Sequence, residues 1–149
     1  MSPPNPDRER ILAFLADPSV PLAFDSSPLL KALGTTIVAA GDGRIVLNFE
    51  PGPLFLQGAN IVQGGAVSAM LDFAMAAAIM TKLDAKTGFA TAGINVSFLA
   101  PARLGFLQAD GEVDRIGRRN GFARATLRDR EGAVLATASS VLTLIASPN

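Results

Sequence analysis

Neither cysteine nor histidine occurs among the 149 residues. Without cysteine, disulfides, thiolate zinc sites and cysteine nucleophiles are excluded, and redox compartment cannot be read from cysteine usage. Without histidine, the Ser-His-Asp triad, histidine-assisted dehydration, the HExxH zinc site and the usual imidazole general base all fall away. Acid–base chemistry is left to carboxylates, lysine or bound water. Tyrosine and tryptophan are missing too, so nine phenylalanines make up the whole aromatic complement. An excess of charge is also absent: thirteen basic residues face thirteen acidic ones. That balance argues against nucleic acid or an anionic membrane as a partner. The longest apolar stretch, Ala66 to Met80, is broken by Ser68 and Asp72 and falls short of the roughly 20 residues a membrane span needs.

What is present suits one domain with a real core. Apolar residues reach 49% and charged ones only 17%, a lean surface for a chain of this size, so part of the apolar surface is expected to be covered by another subunit. The start, MSPPNPDRER, lacks the basic-then-apolar order of a secretory signal, and a cytoplasmic location is expected. Met1 to Pro6 is expected to be disordered. Asp7 to Ala16, with Ile11, Leu12 and Leu15 at helical spacing, predicts a short docking helix, and Ser26-Ser27-Pro28 caps a second one running from Pro28 to Leu33 and ended by Gly34. Thr35 to Ala40 and Arg44 to Phe49 form a hairpin through Gly41-Asp42-Gly43. Leu54 to Gln63 shows no period and reads as a loop.

From Gly64 to about Lys82 the chain is apolar on nearly every face, which predicts a helix wrapped by other structure. Four strands follow, roughly Phe89 to Leu99, Gly105 to Ile116, Phe122 to Arg130 and Val134 to Ile145. In the third, Arg124, Thr126 and Arg128 share one face and Ala123, Ala125 and Leu127 the other. One helix followed by a run of long strands excludes a doubly wound sheet. It predicts an α+β fold, an antiparallel sheet curled around that helix.

Two features could carry chemistry. Asp72 has no basic partner at the adjacent helical positions Ser68, Ala69, Met75 and Ala76, and a buried unpaired carboxylate is costly unless it meets a partner from elsewhere or serves a function. The alternative is an acid that caps a loop or reaches solvent. Gly64-Gly65 offers free N–H groups at the positive end of a helix and room for a ligand to approach, or simply allows a sharp turn into the helix. Eight residues separate Gly64 from Asp72, about 12 Å of helical rise. One small group cannot touch both within one chain. Two antiparallel copies of the helix would bring the glycine of one subunit to the aspartate of the other.

The stretch from Gln57 through Gln63-Gly64-Gly65-Ala66-Val67, the segment Ala69-Met70-Leu71-Asp72, and the run from Ile94-Asn95-Val96-Ser97-Phe98-Leu99 to Pro101-Ala102-Arg103-Leu104-Gly105 resemble the hotdog-fold acyl-CoA thioesterases of the phenylacetate-pathway (PaaI-like) type. Gly117-Arg118-Arg119 and the Asp129 to Gly132 hairpin fit the same pattern. The resemblance covers roughly Leu30 to Ile145. It implies residues 1–29 as an N-terminal tail with a short helix and 30–149 as a single hotdog thioesterase domain.

What the resemblance implies is specific. The sheet wraps the long helix, homodimers carry two sites at the subunit interface, and dimers often pair into a homotetramer. Asp72 is implied as the carboxylate that activates water or attacks directly, and the Gly64 N–H as the donor polarising the thioester carbonyl. Gln57 is implied to help hold the carbonyl or water, and Thr91 to place a hydroxyl near the acid. Gln63, where the family's motif carries histidine, keeps at most a positioning role, since a carboxamide does not titrate. Gln63 and Gly65 are implied at the substrate, and Arg118, Arg119 and Arg103 as grips for the phosphates of coenzyme A. Arg115 to Arg130 holds six of the thirteen basic residues, which could equally be a solvated strand face. No metal or separate cofactor is implied, coenzyme A being part of the substrate. A hotdog module that binds acyl-CoA without turnover is the other reading. Hydration of an enoyl-CoA is disfavoured by the lack of histidine.

Overall fold

The computed structural model describes residues 4–146. Asn5 starts the first helix, α1 (Pro6–Ala16): its side-chain oxygen accepts the N–H groups of Asp7 and Arg8, and Pro6 stands where a missing N–H costs nothing. Order thus begins before Pro6, earlier than expected, while residues 1–3 of the expected disordered start lie outside the described residues. The helix buries Ile11 and Phe14 and leaves Leu12 and Leu15 exposed. Phe14 lies three residues from Ile11, on the same helical face, and takes the docking role expected of the two leucines.

A two-residue strand, β1 (Leu22–Ala23), carries no detectable period and is fixed only by pairing with its neighbour. Helix α2 (Pro28–Ala32) follows, with the Ser27 hydroxyl accepting Leu30 N–H, and the chain turns out of it at Gly34, where φ is 61°. Strands β2 (Thr36–Gly41) and β3 (Arg44–Phe49) form the expected hairpin, with Gly43 at φ 82°. One 3-10 turn, Pro53–Phe55, lies in the stretch expected to be loop. The long helix α3 (Gly64–Met80) precedes β4 (Thr87–Phe98), β5 (Leu107–Ile116), β6 (Asn120–Asp129) and β7 (Val134–Ala146).

All pairings are antiparallel, in the order β1-β2-β3-β5-β6-β7-β4. Because α3 intervenes between β3 and β5, the strand that follows it, β4, is sent to the far edge and pairs with β7 alone. This is the hotdog arrangement: one curled sheet around one helix. The alternation expected in β6 holds, with Ala123, Ala125 and Leu127 buried and Arg124 and Arg128 exposed.

Helix α3 packs chiefly on β5 and β6. Two strand glycines make the approach close: a methyl group on Gly111 would stand 2.6 Å from the Ala74 carbonyl carbon, and one on Gly121 would stand 2.7 Å from Ile79 Cδ1. Within one chain the sheet leaves one face of the helix only partly covered. Val67, Met70, Leu71, Ala74 and Ala78 are buried against the sheet, whereas Ser68, Ala69, Asp72, Phe73 and Ala76 form a half-buried stripe. Their spacing of three and four residues puts them on one face.

Candidate active site

The N-terminus of α3 is held by the residue in front of it. Gln63 is an unusual cap, since shorter polar side chains are preferred there, yet its Oε1 accepts Gly65 N–H at 2.6 Å and Ala66 N–H at 3.3 Å. The Gln63 backbone carbonyl accepts Ala66 and Val67 N–H groups at 2.9 and 3.2 Å. Of the first four helical N–H groups, Gly64's alone is without a protein acceptor among the described residues. A carbonyl oxygen arriving there would meet one unpaired donor at the positive end of a 17-residue helix. The cap also explains the second glycine, because a methyl group on Gly65 would lie 2.7 Å from Gln63 Oε1.

The approach to this helix end is pinned rather than loose. Val62 pairs with Leu56 in an isolated bridge, Val62 N–H donates to Ala102 O at 2.7 Å, and Gln63 N–H donates to Phe55 O at 2.7 Å. Between them Gln57 to Ile61 makes a tight turn with Asn60 at φ 63°. Gln57 is exposed; its Oε1 accepts Ala59 N–H at 2.5 Å, which leaves its amide N–H groups for a ligand.

Two turns further along α3, Asp72 meets the partner that its own helix could not supply. Thr91 Oγ1 donates to Asp72 Oδ1 at 3.0 Å across the gap from the edge strand. The pairing of β4 with β7 shifts register between Thr91 and Gly93. A bulge of this kind turns side chains relative to the regular pleat, and it falls beside the residue that reaches the acid. Asp72 is half-buried, with its other oxygen bonded to no side chain or backbone group among the described residues. A carboxylate held by a single hydroxyl retains lone pairs for water.

The remaining expected residues fall near one or other of these two positions on α3. A cavity of about 370 Å³ at the Gly64 end is walled by Gln57, Ile61, Val62, Val67, Phe98, Leu99 and Leu135, with no charged residue in its lining. Its neighbour, about 360 Å³, contains Arg103 and Arg130 and shares Pro101 and Leu135 with it. Arg118 and Arg119 occupy the β5–β6 turn, which adjoins the Asp72 end: Thr91 pairs with Leu142, and Leu142 with Gly121. Arg103, Arg118 and Arg119 enter no salt bridge among the described residues, whereas Arg124 is engaged by Glu112 and Asp114. Arg124 thus lies on a solvated, charge-paired strand face, while Arg118 and Arg119 are exposed at the turn. Asp129 is not an ion-pair partner there; its side chain accepts the N–H groups of Glu131 and Ala133 and shapes the β6–β7 turn.

The residues named in the sequence thus fall into two groups. Gly64, Gln57, Gln63, Gly65 and Arg103 gather at one end, while Asp72, Thr91, Arg118 and Arg119 gather at the other. Phe98, part of the run that carries the resemblance, had no site role in the sequence, and Leu135 was one more apolar strand residue; both line the cavity beside Gly64. Among the described residues no group of three or more acidic side chains is placed to hold a metal ion, and no helix is long and apolar enough to cross a membrane.

Residues 59–136, which include Gly64, Asp72, Thr91 and the three arginines, match the thioesterase superfamily. No curated protein sequence matches the chain. Among solved structures, a phenylacetic acid degradation-related protein of Ralstonia eutropha is similar over 92% of this chain and 98% of its own, at 26% identity and a TM-score of 0.76. A thioesterase family protein of Silicibacter pomeroyi is similar over 93% and 98%, at 24% identity and 0.78. The E. coli PaaI protein, from the phenylacetic acid degradation operon, is similar over 93% of both chains, at 19% identity and 0.77.

Proposed function

Because the chain belongs to the thioesterase superfamily, we propose that it hydrolyses the thioester of a small, medium or aryl acyl-CoA to the free acid and coenzyme A. The observation that carries this reading is the pairing of one unoccupied helix-terminal donor, Gly64 N–H, with one carboxylate on the same helix, Asp72, oriented by Thr91. Thioester hydrolysis needs both. The carbonyl oxygen gains negative charge as the tetrahedral intermediate forms, and a fixed N–H at a helix N-terminus stabilises that charge. The attacking oxygen comes from water that loses a proton to Asp72, or from Asp72 itself through an anhydride that water then opens. In either course the carbon–sulfur bond breaks and the thiolate leaves with the coenzyme.

About 12 Å of helix separates the two groups within one chain, so the site is completed by a second copy. The half-buried stripe of α3 around Asp72 and the free edge of β4 support an antiparallel homodimer, with Gly64 of one subunit facing Asp72 of the other. Such dimers pair further into a homotetramer. The same geometry gathers Arg103 from one subunit and the Arg118-Arg119 turn from its partner around one entrance, where guanidinium groups suit the phosphates of coenzyme A. Gln57 contributes its free amide N–H to the acyl carbonyl or to water. Gln63 and Gly65 act indirectly, by keeping the first turn closed so that Gly64 alone donates. Hydrolysis by this route draws on water and a carboxylate and uses no metal, and we assign the protein to the cytoplasm.

Purified protein is expected to release free thiol from acyl-CoAs, and Asp72→Asn to abolish release while the circular dichroism and melting temperature are retained. Unchanged turnover in that variant sinks the mechanism. Tight acyl-CoA binding without thiol release, across a broad panel, replaces the hydrolase by a binding module.

A further inference from the structure

The buried side of β7 is a row of apolar residues with one exception. Ala136, Ala138 and Leu142 belong to it, and Ser140 stands before Leu142, only 7% exposed. A hydroxyl buried in such a row is costly unless it is hydrogen-bonded, and the chain uses alanine at the two preceding positions. The Ser140 hydroxyl has its partner on another strand: Oγ donates to the Gly93 carbonyl of β4 at 2.9 Å. Its other acceptor, the Val141 carbonyl, is at the limit of reach, 3.5 Å away. Gly93 is the residue at which the pairing of β4 with β7 resumes after the register shift that begins at Thr91. The contact therefore fastens one side of the bulge, and Thr91, which donates to Asp72, stands on the other.

We propose that Ser140 is a positioning residue of the active site: by fixing the Gly93 carbonyl it holds the bulge in the shape that aims Thr91 at Asp72. This rests on the hydrolase reading for the work that Asp72 does. Within the subunit β4 is an outer strand paired with β7 alone, so no second strand steadies it. The bulge disrupts the ladder at this point, and a side-chain bond from β7 restores an anchor beside it. Thr91 is exposed, so packing does not fix its side chain, whose direction follows the backbone that carries it. Once that backbone turns, the 3.0 Å contact with Asp72 Oδ1 is lost. Ser140 makes no hydrogen bond to Asp72 among the described residues and acts through Gly93 and Thr91.

The test uses Ser140→Ala, Thr91→Val and the double variant, with thiol release from butyryl-CoA and benzoyl-CoA as one readout. The second readout is the set of three-bond couplings from Thr91 Cγ2 to its own backbone nitrogen and carbonyl carbon, which report its χ1 by nuclear magnetic resonance. Ser140→Ala is expected to keep the wild-type elution volume, to lower kcat about fivefold with KM little changed, and to move the Thr91 couplings from single-rotamer toward averaged values. Because both residues act along one line, the double variant should be no more than about twofold slower than Thr91→Val. Losses that multiply in the double variant, an unchanged kcat in Ser140→Ala, or dissociation of that variant overturn the proposal and leave the hydrolase reading intact. Couplings that stay at their wild-type values overturn it as well, whatever the rates. If no form releases thiol, the hydrolase reading falls, and averaged couplings in Ser140→Ala still uphold its hold on Thr91.

Discussion

Helix α3 has two faces made of similar residues and put to different uses. Ala74 and Ile79 lie on the face toward β5 and β6, where Gly111 and Gly121 let backbone and side chain come into direct contact. Ala69, Asp72 and Ala76 lie on the other face, half-buried and beside an edge strand that pairs on one side only. Small residues serve both, but at the sheet they allow close packing within the chain, and along the stripe they leave room for something outside it. The lesson is that stability and chemistry divide by helical face. A substitution toward the sheet is expected to unfold the protein, and one on the stripe to spare the fold and remove function.

The largest effect tests the functional face. Asp72→Asn should reduce kcat about a thousandfold, with a denaturation midpoint close to wild type; a large loss of stability would mean the acid belongs to the core. Gly111→Val tests the opposite face, since its side chain would meet Ala74 backbone that cannot swing aside. A destabilisation of about 3 kcal/mol is expected by urea denaturation, and a folded, active variant would break the division. Ala69→Arg puts a long cation on the stripe. It should leave the melting curve of the subunit nearly unchanged while light scattering reports monomer and thiol release disappears with the dimer. Retention of dimer and activity together would show that the stripe is not the interface.

Thr91→Val removes the one side-chain hydroxyl that Asp72 accepts among the described residues and should lower kcat about tenfold, the worth of one hydrogen bond to a charged group. KM should stay near its wild-type value and Thr91→Ser should restore the rate. An equal rise in KM would assign Thr91 to substrate binding instead of to positioning the acid.

Most of the frame was legible because it depends on neighbours in sequence. The hairpin through Gly41-Asp42-Gly43, the start of α3 at Gly64 and the four later strands follow from turn residues, a capping position and alternation. Misreadings occurred where a distant partner decided. Leu12 and Leu15 have the spacing of a docking face, but Phe14 is the residue that β2 and α3 leave room for. Nothing local marks Leu22-Ala23 as a strand; it pairs with Ile37 and Thr36 across a helix. Gln63 was visible only as a residue in the histidine's place, and its work as a cap emerges from the two N–H groups it accepts.

Composition limits what chemistry is open: with no histidine and no cysteine, acid–base work is left to carboxylates, lysine or bound water, and residue order sets Asp72 eight positions from a glycine-opened helix end. Those are properties of residue type and of spacing along one element, so folding does not alter them. Whether Asp72 has a partner, which N–H is left free, and which ring lies on Gly64 depend on strands that meet only when the sheet closes. Thr91 reaches Asp72 and Phe98 reaches Gly64 because β4 is carried past β5 and β6 to the outer side of β7. Contacts between residues nineteen or more positions apart are set by that crossover, which no local pattern encodes.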